Sequence, residues 1–304
     1  MLQGMPFLLV AAGAALVPSL APAWNASAAV VLIYMLAGAA VSLELGWAGL
    51  PDFSIAAWFF AGAWCTAAIM HAVALPFWAC AALAVGAVTV IALVITSPLL
   101  RLPREVFAMA TLAIAMIVPG ITAHQKFLAV TAVAIPAGDT AVLYDALIAI
   151  LLVAGAIAMS IERSPLGLAL RAGAEDRIVC NSIGLNTRRC RLLVVALSAA
   201  AAATAGCMLP AFQGAHDPAV GFDAIASIFA IGMIAGRRMS GAAIAAFIIA
   251  GIPQFVPALS EYRVVLAGAA ILCSAACRIM SADRGGNTVV EGFNLAQPTG
   301  AGAE

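Results

Sequence analysis

Across 304 residues, 65% of the side chains are hydrophobic, 9% are charged and the formal net charge is zero. Soluble domains carry about 25% charged residues, so a water-soluble fold of this length is excluded for want of polar surface to cover it. No basic field exists to attract nucleic acid, and the lipid bilayer is left as the solvent of this chain.

A helix crossing a bilayer needs about 20 predominantly apolar residues. Met5–Ala23 opens the chain with such a run, and no Arg or Lys precedes it, so it reads as a retained first helix and not as a cleaved signal. Ser27–Leu43 is the second run. Between Asp52 and Arg101 no charged residue occurs, and the stretch is long enough for two crossings that break near His71–Pro76. Val106–Ala123, Ala141–Ile161 and Leu192–Leu209 follow, then Phe222–Gly236, Met239–Leu259 and Val264–Cys277. The first and last of these three are short for full spans. The predicted fold is therefore an all-α polytopic bundle of about ten transmembrane helices. The runs are continuous and do not alternate with period two, which argues against a transmembrane barrel.

Basic residues set the orientation. With a cytoplasmic N-terminus, Arg101, Arg104, Arg163, Arg171, Arg177, Arg188, Arg189, Arg191, Arg237, Arg238, Arg278 and Arg284 all fall inside, and Lys126 and Arg263 outside. Both termini are then cytoplasmic. Residues 1–280 form the membrane domain, and residues 281–304 are a polar tail expected to lack fixed structure. The Ala- and Gly-rich spans suit close helix approach, or reflect a bias in residue usage.

Seven cysteines and three histidines are scattered without a Cys-x-x-Cys pair. The cysteines read as small buried hydrophobes, and no metal or other cofactor is implied. Five tryptophans, Trp24, Trp47, Trp58, Trp64 and Trp78, are expected first at the membrane interfaces and otherwise along a cavity.

Glu162–Leu193 is the longest polar interruption before the tail. Ser164-Pro165 can start a helix, Leu166–Arg171 and Ala174–Ile183 have helical composition, and Gly184 supplies a stop. On composition alone a projecting helix pair and an ordinary basic loop stand level. Gly46–Ser54 combines Gly, Pro and an acid beside a span, which suggests irregular backbone, tolerated where protein or a water-filled cavity covers it. Asp52 either caps the helix starting near Phe53 or contacts a solute. Glu44 faces either the interior or the cytoplasm. Asp145 and Asp223 lie near span ends and read as interfacial.

Three stretches carry a family resemblance. In RSPLGLALRAGAEDRIVCNSIGL the matching positions are Ser164, Pro165, Gly167, Leu170, Arg171, Ala172, Glu175, Asp176 and Gly184. In GWAGLPDFSIAAWFFAGAW they are Gly46, Trp47, Gly49, Ala56, Ala57, Phe59, Gly62 and Ala63. The third stretch is LLRLPREVFAMAT, Leu99–Thr111. Together, and in order over roughly residues 30–280, they resemble the permease subunits of ATP-binding cassette importers for branched-chain amino acids, the LivH/LivM type. Two departures bear on the solute. Where that family often has Gln-x-Ser-x-Gly-His, this chain has Leu50-Pro51-Asp52-Phe53-Ser54-Ile55, and its late Gly-rich turn, Gly232 to Gly241, carries Arg237 and Arg238.

The resemblance implies a permease importing a small polar solute, a branched-chain or related amino acid first. Loop 162–191 would couple to an ATPase through Ser164, Pro165, Gly167, Leu170, Arg171, Glu175, Asp176, Arg177 and Gly184. Gly46, Trp47, Gly49, Asp52, Ser54 and Gly62 would line the translocation pathway. Implied partners are cytoplasmic ATP-binding subunits, a second permease subunit (the same chain or a paralogue), and a periplasmic substrate-binding protein meeting Gln213–Asp217 and Gln125–Lys126. The chain cannot hydrolyse ATP through a Gly-x-x-x-x-Gly-Lys-[Ser/Thr] loop, because Lys126 is its only lysine and stands outside any such motif. The competing readings are a secondary transporter, which usually carries a mid-span ionisable relay, and a passive channel for a neutral solute such as an amide or urea. A membrane enzyme comes last, for want of a nucleophile–base constellation.

Overall fold

The structure, a computed structural model, describes residues 24–73, 75–124, 140–175, 177–182, 184–213, 222–236, 239–255, 265–274 and 276. The expected first span Met5–Ala23, the tail, Lys126, Asp176, Arg237, Arg238 and the outer segments around residues 125 and 214–217 lie outside the described residues. Every regular element described is helical. In chain order these are α1 (Asn25–Ser42), continued by a π-helical stretch Leu43–Ala48, then α2 (Ser54–Ala72), α3 (Phe77–Leu99), α4 (Arg104–His124) and α5 (Thr140–Arg163). The short α6 (Pro165–Glu175) and α7 (Arg177–Ser182) precede α8 (Thr187–Gln213). After α9 (Phe222–Ala235) come α10 (Met239–Ala246), a second π-helical stretch Phe247–Gly251, and α11 (Ile252–Phe255). The last apolar helix, α12, is Val265–Ser274.

Six of the helical runs are long and apolar enough to cross a membrane: α1 with its π-helical extension, α2, α3, α4, α5 and α8. Three further apolar helices, within Ala224–Ala235, Gly241–Gln254 and Val265–Ser274, are shorter. Each coincides with a run expected from hydropathy.

The core is built around α1 and α8. The latter packs on α1, α2 and α3, while α1 also receives α5, α9 and α10. Inside, the residues are small: Ala37, Ala40, Ala199, Ala202, Ala203 and Ala205 are all buried. Small side chains replace the hydrophobic effect, which is weak between helices in lipid, with close van der Waals contact. Gly62 on α2 and Gly206 on α8 show it at one crossing. A Cβ on Gly62 would strike the Ala203 backbone, and one on Gly206 the Phe59 backbone. Beside them Thr66 Oγ1 donates to Gly62 O at 2.8 Å. The outer faces are large and apolar, with Met109, Val94 and Val153 exposed on α4, α3 and α5. Such faces match lipid as solvent.

Trp24 and Trp78 are exposed at the starts of α1 and α3, where interfacial residues belong. Trp47 and Trp58 are buried instead, filling volume left by Ala-rich neighbours.

Three connections meet at one end of the bundle: Leu43–Phe53 between α1 and α2, Leu100–Pro103 between α3 and α4, and the segment from Ser164 to Asn186 that carries α6 and α7. Arg188 Nη2 donates to Ser97 Oγ at 3.1 Å, and Arg104 Nη2 to Ala174 O at 3.2 Å. Arginines of the second and third connections are thereby gathered on one side, the clustering expected of a positive-inside pattern.

Candidate functional site

The π-helical stretch is where α1 loses register. It ends at Gly49, whose φ of +62° only glycine adopts without strain. The N–H groups of Gly49 and Leu50 both donate to Glu44 O. The chain then makes a tight turn, Asp52 N donating to Leu50 O at 3.0 Å. At its end Phe53 N donates to Thr111 Oγ1 at 3.2 Å, and the Phe53 ring stacks on Phe229 at 4.0 Å. Thr111 lies seven residues beyond Arg104 on α4, about 10 Å along the helix axis. The turn therefore dips into the bundle, and protein covers its irregular backbone.

Asp52 Oδ1 accepts from Ser54 N at 2.7 Å and from Ser54 Oγ at 2.5 Å. This serves the free N–H of the first turn of α2, as capping residues do. Burial holds the Asp52 carboxyl above the usual carboxylate range, against the opposing hydrogen bonds from Ser54. Glu44 faces the interior. Its Oε1 meets the Ser198 hydroxyl of α8, and its carboxyl comes within hydrogen-bonding reach of Asp52. Trp47 and Ser54 are buried nearby, while Gly46 is half-buried. Gly62 stands apart from this cluster, two turns into α2 at the crossing with α8.

The second cluster is the α6–α7 pair. Ser164 is at the α6 N-cap position, its carbonyl accepting from Gly167 N at 3.1 Å and from Leu168 N at 3.3 Å, and Pro165 is the first helical residue. Gly167 is required by closeness, since a Cβ there would strike Ile161 O. Leu170 is buried against the bundle, and Arg171 Nη2 bonds Glu162 Oε1 at 2.9 Å. Glu175 is exposed, and Gly184 has φ of +85°, the stop expected of it. Arg177 opens α7. Leu168 is 71% exposed and Val179 55%. Apolar side chains left open on a polar connection mark a contact surface.

The two clusters are joined by two residues that the sequence reading did not single out as site residues. Arg191 Nη2 donates to Gly173 O at 2.9 Å and Arg104 Nη2 to Ala174 O at 3.2 Å. Both serve carbonyls of the last turn of α6, where cations are favoured. Gly49 lies beneath the same turn, where a Cβ would come 3.0 Å from Ala174 Cβ. A cavity of about 150 Å³ separates Leu50, Phe107, Arg104 and Arg191. The α6 C-terminus is thus packed directly against Gly49, beside the turn that carries Asp52. The signal for this in the sequence is slight: Arg104 opens α4 in the short basic stretch Leu99–Thr111, and Arg191 closes the expected coupling loop.

Comparison with known proteins bears on the same region. The chain is 26% identical to the high-affinity branched-chain amino acid transport system permease protein LivM of Escherichia coli (strain K12), over 79% of this chain and 65% of that protein. A probable branched-chain amino acid transport permease protein LivH of Methanocaldococcus jannaschii is 30% identical over 54% of this chain and 56% of its own length. The LivH of Escherichia coli (strain K12) is 32% identical over 38% of this chain and 39% of its own. The chain thus spans just under two thirds of the length of the LivM relative. No solved structure matches it. The family model for the branched-chain amino acid transport system permease component matches residues 25–275, from the start of α1 to the end of α12. The chain belongs to that family of membrane transport permeases.

Proposed function

We propose that this chain is the membrane subunit of an ATP-binding cassette importer for a small polar solute, with branched-chain or related amino acids as the first candidates. The observation that carries the reading is the α6–α7 pair, which presents exposed Leu168, Val179 and Glu175 outward while Arg104 and Arg191 tie its base to the bundle. Apolar contacts with a charged rim suit a groove on a soluble ATP-hydrolysing subunit. The permease itself does no covalent chemistry; it offers two helix arrangements that the ATPase biases. Glu175, Asp176 and Arg177 supply charge at that interface. Gly46, Trp47, Gly49, Asp52, Ser54 and Gly62 are the pathway residues of this reading, with the irregular backbone of the turn as its support. A second permease subunit completes the pathway, and a binding protein delivers solute to the outer mouth. Ten spans, an inner-membrane location and cytoplasmic termini complete the proposal, in keeping with the gathering of arginines at one end.

Reconstitution tests it. Vesicles holding the chain with its ATPase and second permease accumulate labelled leucine only with ATP on the ATPase side and binding protein on the other. Uptake by the chain alone without ATP contradicts the proposal and leaves a channel or a secondary transporter.

A further inference from the structure

Glu44 and Asp52 are brought together by the fold-back of the chain at Gly49, so that their carboxyl groups lie within hydrogen-bonding reach of each other. Glu44 is 1% exposed and Asp52 2%. One oxygen of each is served: Glu44 Oε1 by the Ser198 hydroxyl, Asp52 Oδ1 by Ser54 N and Oγ. The other two, Glu44 Oε2 and Asp52 Oδ2, are buried and accept no hydrogen bond from a donor among the described residues. A buried acceptor left bare costs about 1–3 kcal/mol, and more when charged.

Among the described residues, the cations on the elements around the pair are engaged elsewhere or exposed. The π-helical stretch is packed by α1, α6 and α8, and the turn is held by α4 and α9. On α6, Arg171 is paired with Glu162, and Glu175 is exposed. On α8, Arg188 reaches Ser97, Arg189 is exposed, Cys190 is half-buried and Arg191 holds Gly173 O. On α4, Arg104 holds Ala174 O and Glu105 is exposed. The stretch of α1 before Glu44 has no charged residue, and α9 has its acid, Asp223, six residues before Phe229. The hydrogen bonds that reach the pair come from Ser198 and Ser54, both neutral.

A metal ion fits the site poorly. No group of three His, Cys, Asp or Glu that could hold a metal occurs among the described residues. A proton needs only two oxygens. We propose that Glu44 and Asp52 form a binding site for a single proton, a carboxylic acid donating a hydrogen bond to a carboxylate, with net charge of minus one. An O–H···O⁻ bond of this kind is short and strong, and like carboxylates sharing a site do not readily both ionise. The inference does not depend on what drives transport.

Infrared difference spectroscopy of the purified chain in lipid nanodiscs tests it. At neutral pH the wild type shows a protonated-carboxyl C=O band that shifts in D₂O. That band is lost in Glu44→Gln and in Asp52→Asn, each nearly isosteric, and is kept but displaced in Ser198→Ala. Absence of the band from the wild type at neutral pH overturns the proposal, which needs no variant to fold. Survival of the band unchanged in the Glu44→Gln, Asp52→Asn double variant overturns it equally. So does stabilisation of the wild type, but not of the double variant, by sodium or potassium at fixed pH, which assigns the site to a metal cation.

Discussion

Gly49 concentrates two constraints in one residue. Its φ is +62°, and the space for a Cβ is bounded by Ala174 at 3.0 Å and Arg104 at 3.3 Å. An L-residue in the left-handed region costs about 1–2 kcal/mol, and the contact adds to it. Gly49→Ala is expected to lower the thermal midpoint of the purified protein and to weaken coupling, while the equivalent change at Gly86, which meets nothing, leaves both unaltered. Gly62 and Gly206 make a different claim. Gly62→Val forces α2 off α8, and a loss of several degrees in midpoint or failure to accumulate in the membrane is expected. Residues of this kind were legible where backbone geometry demands glycine, as at Gly49 and Gly184. The Glu44–Ser198 contact was not, because its partners are 154 residues apart and neither position carries a local pattern.

The long helices follow from hydrophobic length: four were read within about five residues of their ends, and α2 and α3 as two crossings of one charge-free stretch that breaks near His71–Pro76. The π-helical stretch Leu43–Ala48 was not, because its composition is that of an ordinary apolar helix and only the shifted hydrogen bonds to Glu44 O distinguish it. The coupling pair was legible in outline. Its first helix was expected to break near Ala172, yet it runs to Glu175, because Arg104 and Arg191 serve the carbonyls of its last turn. Each of those bonds is worth about 1.5–3 kcal/mol when buried, and less for the exposed Arg104. In Arg104→Ala, Arg191→Ala the amides of residues 165–182 should exchange at least tenfold faster, with the spans unchanged. Hydrogen exchange measured by mass spectrometry in nanodiscs checks this; unchanged protection means that α6 is held by its packing alone.

For the whole molecule, the placement of three connections at one end fixes which of them share a side. Reporter fusions after Arg101 and after Leu185 should report the same compartment, and a fusion after Val73, in the α2–α3 turn, the opposite one. Hydropathy located the shorter helices α9 to α12 but not their depth, since Ala224–Ala235 and Val265–Ser274 fall below the length of a full crossing. What unites the scales is a series of contacts, from α6 through Arg104, Arg191 and Gly49 to the buried turn at Asp52. It has a purpose only if a motor docks on α6 and α7. The most direct test is to extract the tagged chain in mild detergent, together with its variant Glu175→Lys, Asp176→Lys, and ask what accompanies each. An ATP-hydrolysing subunit is expected to co-purify with the wild type and to be released by the charge reversal, both chains being equally abundant in the membrane. Purification of the wild type without any ATPase, or retention of the ATPase by the reversed variant, would contradict the coupling role of this helix pair.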